Sequence, residues 1–362
     1  MKYDYKDTVE FLLDWYDNNA RILAWRENPN PYYVWISEIM LQQTRVEAVK
    51  FYFDRFVKAI PDIKSLAEIQ EEKLLKLWEG LGYYNRARNL KKAAQIIMEE
   101  YGGVMPADYN KLLKLPGIGS YTAGAIASIA FSIPEPAVDG NVLRVMKRIA
   151  GSFDDITKTS VKKELEQDIR EIIPHDRPGD FNQALMELGA MICLPNGRPL
   201  CMKCPVMHLC KAYKNKTELS IPVKPAKKTR KIEEKTILII EKNKEYVIRK
   251  RENKGLLAGL WELPSLKGKL ALPAVEHAME NWGFQVLKIE SLGDAKHIFS
   301  HVEWHMTGYY IKVGKFLAVR EDGVYEPDRK SQFTWADKKQ IEEVYTLPSA
   351  FEKYRKFIQI ND

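Results

Sequence analysis

The chain has 362 residues, 45% of them hydrophobic, and carries 56 Lys and Arg against 49 Asp and Glu, a formal net charge of +7. That length suits two or three domains with ample core, and the mild positive excess is compatible with a polyanionic partner. The opening residues Met1 to Asp7 are charged and lack an apolar signal core, and no stretch reads as a credible membrane span, so a cytosolic protein is expected.

Residues 1 to about 214 read as mostly helical. Apolar residues at helical spacing recur from Thr8 to Tyr16, Trp35 to Phe56, Glu72 to Trp78, Asn85 to Glu100, Tyr121 to Phe131 and Val142 to Ile149. In the second stretch Glu38 is the only acid between Glu27 and Glu47. On a helix it shares a face with Gln42 and Arg45, so the ordinary reading is a surface glutamate paired with one of them. The sharper reading is a carboxyl desolvated among Trp35, Ile39 and Met40, its pKa raised as a general acid needs. Gln42-Gln43-Thr44-Arg45 ends that run as a polar cluster. Gly80-Leu81-Gly82-Tyr83-Tyr84, followed by Arg86 and Arg88, joins a glycine turn to aromatics and cations, a combination suited to backbone contact and base stacking. Core packing is the ordinary reading of either tyrosine alone.

Leu115-Pro116-Gly117-Ile118-Gly119 comes next, then Ser120, Tyr121, a helix of small residues, and Asp139 just ahead of another helix. Two glycines two apart between helices make a tight turn whose backbone N–H groups stay open to a phosphate. Such a turn grips a nucleic-acid backbone without reading sequence. Asp139 would then be held beside a sugar, although it could equally be a helix cap. The run from Leu115 to Pro134 has no charge, but its glycines, prolines and hydroxyls favour a buried helix over a membrane span.

All four cysteines, Cys193, Cys201, Cys204 and Cys210, fall within eighteen residues. Crowding of this kind indicates a metal or cluster site rather than disulfides, and zinc and an iron–sulfur cluster both satisfy the spacing. Residues 215–235 are polar and basic, with five cations between Lys224 and Lys231, and read as an exposed linker. Beyond it, Thr236–Ile240, Glu245–Arg249, His301–Lys312 and Ser331–Trp335 read as strands and Pro273–Trp282 as a helix, giving a second, α+β domain over 236–362. His297, His301 and His305 are spaced by four, as on a metal-binding helix. The alternation of Val302, Trp304 and Met306 with His301, Glu303 and His305 fits a strand with one polar face better.

Taken together these residues resemble the adenine DNA glycosylase family of the helix-hairpin-helix, endonuclease III superfamily. The likeness covers nearly the whole chain and rests on Trp25-Arg26, Ser37-Glu38 to Arg45, Gly80 to Tyr84, the Leu115 hairpin, Ala137 to Val142, Phe181-Asn182-Gln183-Ala184-Leu185, the four cysteines and Phe299-Ser300-His301. The resemblance implies a mainly α catalytic region over 1–214, with a six-helix barrel at about 26–130 and a cluster domain from 1–25 and 131–214. A Nudix-like 8-oxoguanine recognition domain over 236–362 would follow. It implies a monofunctional base-excision-repair enzyme that hydrolyses the glycosidic bond of adenine opposite 8-oxoguanine or guanine. It would act as a monomer on double-stranded DNA, away from membranes, in the bacterial nucleoid.

By the same resemblance Glu38 protonates the leaving adenine and later activates water, and Asp139 stabilises the oxocarbenium-like sugar, a division of labour general to glycoside cleavage. Tyr121 and Asn141 assist near the sugar. Arg26 and Gln183 hold the flipped adenine. Gln43, Thr44, Leu81 and Tyr83 wedge into the duplex, Gly117 and Gly119 form the phosphate-gripping hairpin, and Phe299, Ser300 and His301 read the lesion. Cys193, Cys201, Cys204 and Cys210 would hold a 4Fe–4S cluster. The first cysteine gap, Leu194 to Leu200, is seven residues where the family has six; the extra residue lies in a Pro/Gly-rich loop that tolerates insertion. The Nudix hydrolase box is broken, with Glu276, His277, Glu280 and Asn281 where paired acids would hold magnesium, so recognition without hydrolysis is expected. An endonuclease III-type lyase for oxidised pyrimidines shares the hairpin, aspartate and cysteines, but Tyr121 stands where its lysine nucleophile would be. The presence of both Glu38 and Asp139 argues against a non-catalytic lesion binder. A nucleotide pyrophosphohydrolase would require release of pyrophosphate from 8-oxo-dGTP, which the broken box does not support.

Overall fold

The computed structural model describes residues 3–225, 229–316 and 333–360 and divides the chain into two units. Met1–Ile69 and Asn85–Ala226 make the first; Gln70–Tyr84 and Lys227–Asp362 make the second.

The first unit is helical. In α1 (Thr8–Asn19) the buried residues Thr8, Leu12 and Tyr16 fall four apart on one stripe. A short α2 (Ala24–Glu27) precedes α3 (Pro31–Leu41), which begins with Pro31 pre-set for the first turn and with the Asn30 side chain accepting from the Tyr33 N–H. The single helical stretch expected from Trp35 to Phe56 is two helices. The chain leaves α3 at Leu41, passes through Gln43 at φ +59° and restarts as α4 (Val46–Ala59). One Arg86 nitrogen donates to the carbonyls of Ile39 (2.7 Å), Met40 (3.1 Å) and Gln42 (2.7 Å), satisfying acceptors that a continuing helix would have used. Arg45 is therefore on another helix from Glu38, and the face they were expected to share does not exist.

Next come α5 (Ile63–Glu68), started by the Asp62 cap, α6 (Glu71–Leu77), which groups with the second unit, and α7 (Asn85–Tyr101), which packs on α5. A short α8 (Tyr109–Leu112) leads into the Leu115 turn and α9 (Ser120–Ala125), which runs on as one π turn over Ile126–Ala130. Then follow α10 (Gly140–Ala150), α11 (Thr159–Ile172), α12 (Pro178–Met191) and, past the cysteine loop, α13 (Lys211–Lys214). Leu12, Val142, Val145, Met146, Leu165, Ile169, Phe181 and Leu188 close one core among α1, α10, α11 and α12. Each such side chain stabilises by about 2 kcal/mol when fully buried. Gly189 lets α12 approach α10: a Cβ there would stand 2.6 Å from the Asn141 Cβ.

The second unit holds one mixed sheet in the order β3-β2-β1-β6-β5. Its strands are β1 (Lys231–Lys242), β2 (Glu245–Lys250), β3 (Trp261–Glu262), β4 (Ser265–Lys267), β5 (Phe284–Ile298), β6 (Val302–Phe316) and β7 (Phe333–Asp337). β4 pairs with β1 and β7 with β2, and β1 runs parallel to β6. The apolar run in β1 is explained by burial on both faces. Ile237 and Ile239 join the core under α16 (Glu352–Ile360), while Leu238 and Ile240 join the core under α14 (Leu272–Asn281).

The expected linker is shorter than 215–235. Ile221 is buried and its carbonyl accepts from Arg148 Nε at 2.8 Å, Val223 bridges to Asp155, and β1 already starts at Lys231; residues 226–228 lie outside the described residues. β5 has no clear signal in the sequence, because its apolar residues Phe284, Val286, Leu287, Ile289, Leu292 and Ile298 do not keep a period of two, and its pairing with β6 is interrupted by register shifts. Ser331 and Gln332, expected to open a strand, lie outside the described residues. Cross-strand register pairs His297 with Trp304 and Lys296 with His305. The two histidines therefore point to opposite faces of the sheet and cannot share an ion, as the strand reading requires.

Candidate active site

Glu38 and Asp139 face one cleft of about 620 Å³ in the first unit. Glu38 projects from α3 and is only 5% exposed. The Tyr121 hydroxyl, from the first turn of α9, donates to its Oε2 in a short hydrogen bond. Burial pushes the Glu38 carboxyl up, the Tyr121 hydrogen bond pulls it down, the Asp139 charge raises it and Arg26 lowers it, with the balance at about 7. The surface pairing with Arg45 or Gln42 is thus replaced by burial, and the desolvated reading holds. Tyr121 is itself raised well above the usual phenol range by burial and then by the Glu38 charge.

Asp139 is both cap and cleft residue. Its Oδ1 accepts from the N–H groups of Asn141 (2.8 Å) and Val142 (2.7 Å), opening α10, and its Oδ2 accepts from Asn141 Nδ2 at 2.8 Å. Burial raises its pKa, opposed by those donors and by Arg144. Asn141 Oδ1 accepts in turn from Arg144 Nη2 (2.9 Å), whose guanidinium also reaches the carbonyls of Gly189 (2.7 Å) and Cys193 (2.8 Å). A rigid chain of donors therefore fixes the carboxylate orientation.

The cleft wall also carries Arg26 and Gln183, and its rim carries Gln42, Gln43, Thr44 and Gly119. Gly117 takes φ +80° at the hairpin corner, and a Cβ there would meet Asn89 at 2.8 Å. No atom outside its immediate neighbours comes within 4 Å of where a Gly119 Cβ would stand, leaving room for a bulky group at that turn. Three further residues of the cleft, Glu187, Arg21 and Lys162, are not among those expected from the sequence. Glu187, 1% exposed on α12, accepts from Arg26 Nη2 (2.6 Å), Arg21 Nε (2.8 Å) and Arg21 Nη2 (2.8 Å). Lys162 of α11 reaches Ser120 Oγ at 3.1 Å. The sequence does hold a signal for Glu187: it is the only acid between Asp180 and Glu218, in an apolar run, as Glu38 is in its own.

Cys193, Cys201, Cys204 and Cys210 line one hollow with Val145, Ile149, Leu188, Ile192 and Val206. Burial pushes the Cys204 thiol up to about 12, with the charges of the other three cysteines adding to it. Arg148 Nη1 lies 3.2 Å from Cys193 Sγ and supplies the hydrogen bond that a thiolate ligand uses. Among the described residues no three His, Cys, Asp or Glu side chains converge on a single-ion position. Four thiols in an apolar lining are a donor set that fits a sulfur-ligated metal group.

The remaining expected residues sit in the second unit. Tyr83, at φ +48° and 48% exposed, has its hydroxyl 3.1 Å from Ser300 Oγ. Leu81 is buried, so the exposed wedge expected there is absent from this conformation. Phe299, Ser300 and His301 form the β5–β6 turn, with the Phe299 ring against His297 and Trp304. Glu276 and Glu280 of α14 gather no third carboxylate among the described residues.

Residues 36–171 match the model of the HhH-GPD superfamily base excision DNA repair protein, and residues 236–356 match the NUDIX domain. The chain is 36% identical to the adenine DNA glycosylase of Mus musculus over 83% of its length and 70% of that protein's. It is 32% identical to the adenine DNA glycosylase of Schizosaccharomyces pombe over 97% and 89%, and 36% identical to that of Buchnera aphidicola subsp. Baizongia pistaciae over 84% and 86%. Among solved structures, a thermostable thymine-DNA glycosylase superposes with a TM-score of 0.53 at 30% identity, covering 59% of this chain and 97% of that one. A trapped endonuclease III–DNA covalent intermediate superposes with a TM-score of 0.50 at 28% identity, covering 60% and 99%.

Proposed function

The chain belongs to the adenine DNA glycosylase family, and from that premise we propose that it hydrolyses the N-glycosidic bond of adenine opposite 8-oxoguanine in duplex DNA, with Glu38 as acid and Asp139 as stabilising carboxylate. The observation that carries this reading is the pairing, in one cleft, of a buried carboxyl whose pKa lies near 7 with a carboxylate held by three N–H donors.

At neutral pH a substantial fraction of Glu38 is protonated, which general acid catalysis needs. As the bond from the sugar to adenine breaks, its electron pair goes to the base and the Glu38 proton to a ring nitrogen of the base. Asp139 faces the positive charge left on the sugar. Water then adds to the sugar carbon and returns its proton to Glu38. Asn141 and Arg144 keep Asp139 aimed throughout, and Tyr121 keeps Glu38 in the cleft. Arg26 and Gln183 would bind the extruded adenine, and Gln43, Thr44 and the Gly117–Gly119 hairpin the DNA. Tyr83, Phe299, Ser300 and His301 would read the opposite base, while the C-terminal domain, with only Glu276 and Glu280 as acids on α14, would recognise without hydrolysing. Leu81 would serve as a wedge only after exposure on binding.

Cys193, Cys201, Cys204 and Cys210 would hold a 4Fe–4S cluster. When bound, it cross-links the 193–210 loop beneath α10 and α12. The enzyme is proposed to act as a monomer at the bacterial nucleoid.

The test is single-turnover base release from duplexes carrying adenine opposite 8-oxoguanine, adenine opposite guanine, and thymine glycol opposite adenine. Fast adenine release, best opposite 8-oxoguanine, is expected. Strand cleavage at thymine glycol without adenine release would replace this reading with an endonuclease III-type activity.

A further inference from the structure

A buried acid in the cleft wall has no part in the chemistry above. Glu187 extends from α12 four residues after Gln183 and ends between two guanidiniums that both line the cleft. Its Oε2 takes Arg21 Nε, and its Oε1 takes one nitrogen from each arginine, so three charge-assisted hydrogen bonds of 2.6–2.8 Å converge on one carboxylate. Arg26 is further tied to the Arg21 carbonyl at 3.3 Å. Both arginines come from a short segment ahead of α3 that has little regular structure of its own. The carboxylate on α12 supplies the rigid anchor.

We propose that Glu187 is a positioning residue that sets the aim of Arg26 and Arg21 at the base in the cleft and, by halving their combined charge, favours the protonated form of Glu38. The charge arithmetic is simple: two guanidiniums and one carboxylate leave +1 on that wall, and loss of Glu187 leaves +2. Glu187 is fit for the role because it stays ionised. Burial pushes its carboxyl up, but the Arg21 hydrogen bonds and the charges of both arginines override this and hold it below the usual range. The groups acting on Glu38 are Tyr121 from α9, Asp139 ahead of α10 and Arg26 from α2; Glu187 is bonded to Arg26 and carries Arg21 beside it, and Lys162 of α11 lines the same cleft. More positive charge behind Arg26 favours ionised Glu38, which cannot protonate a leaving group.

The inference rests on Glu38 as the acid, and the test separates the two. Single-turnover adenine release is measured against pH for the wild type, Glu187→Gln and Arg21→Met. In the wild type the rate should fall as pH rises through about 7, as the acid titrates. Glu187→Gln keeps the shape and removes the charge, and its falling limb should move about one pH unit lower. Arg21→Met removes a cation, and its limb should move higher. A structural defect alone would lower the rate without moving the limb. A wild type with no limb near neutrality would remove Glu38 as the acid. A wild-type limb that stays in place in Glu187→Gln would remove Glu187 from the electrostatics. If Glu187→Gln fails to fold, the direction of the Arg21→Met shift decides: upward supports the proposal, and no shift overturns it.

Discussion

Glu38 and Glu187 are the same residue type in the same cleft, each the lone acid of an apolar run, yet their surroundings shift them in opposite directions. Burial and the Asp139 charge, opposed by the Tyr121 hydroxyl and Arg26, leave Glu38 poised near 7, whereas two guanidiniums hold Glu187 below the usual carboxylate range. Glu38→Gln is expected to bind the mismatch duplex as the wild type does and to lose about 10²–10⁴-fold in base release, since the amide still accepts from Tyr121 but cannot give up a proton. Retained turnover would reject the acid assignment. The same substitution has a stability signature. A carboxyl raised from 4.5 to about 7 binds more protons folded than unfolded between those values, so its contribution is present below that window and is lost as pH rises through it. Glu38→Gln should therefore be more stable than the wild type at pH 8, by up to ~3 kcal/mol, and equal to it near pH 4. Chemical denaturation at the two pH values checks this.

Between elements, the close approach of α10 and α12 decides how Asp139 points. Gly189 permits the contact, and Arg144 crosses it from Asn141 to the carbonyls of Gly189 and Cys193. Gly189→Ala would press its methyl on Asn141 and is expected to destabilise by about 1–3 kcal/mol. Base release should slow beyond what the lost stability explains, measured as the single-turnover rate well below the melting temperature; an unchanged rate would show that Asp139 is aimed without this contact. The cysteine loop follows α12 and is tied to the C-terminal half of α10, with Arg148 on Cys193 and on the Leu194 carbonyl. Cys204→Ser should remove iron absorbance and lower the melting temperature, because the loop loses the binding free energy of the proposed group. Full iron content in that variant would contradict the proposed ligand set.

At the scale of the whole molecule, α6 and the turn after it group with the C-terminal sheet although they are threaded through the helical half of the sequence. Lys76 donates to the carbonyls of Ile341 (3.2 Å) and Tyr345 (3.0 Å), and Glu79 accepts from Arg355 and from the Leu347 N–H. Tyr83 and Ser300 thus belong to one unit, their hydroxyls in contact. Arg355→Ala should narrow the preference for adenine opposite 8-oxoguanine over adenine opposite guanine while leaving release from the plain mismatch near wild type. An unchanged ratio would remove this clasp from lesion reading. Much of this organisation is legible in the chain itself. Apolar spacing marks α1, α7 and α10, the unbroken run Thr236–Ile240 marks a strand, and the clustering of four cysteines marks the one hollow they line, because each is a local pattern. What only the tertiary structure decided depended on distant partners. Arg86 ends α3 from across the chain, Glu187 pairs with arginines more than a hundred residues away, and Tyr121 together with burial turns Glu38 from a candidate surface residue into a group poised near neutrality. A pKa and a helix end are set by the surroundings in space, and those surroundings exist only after folding.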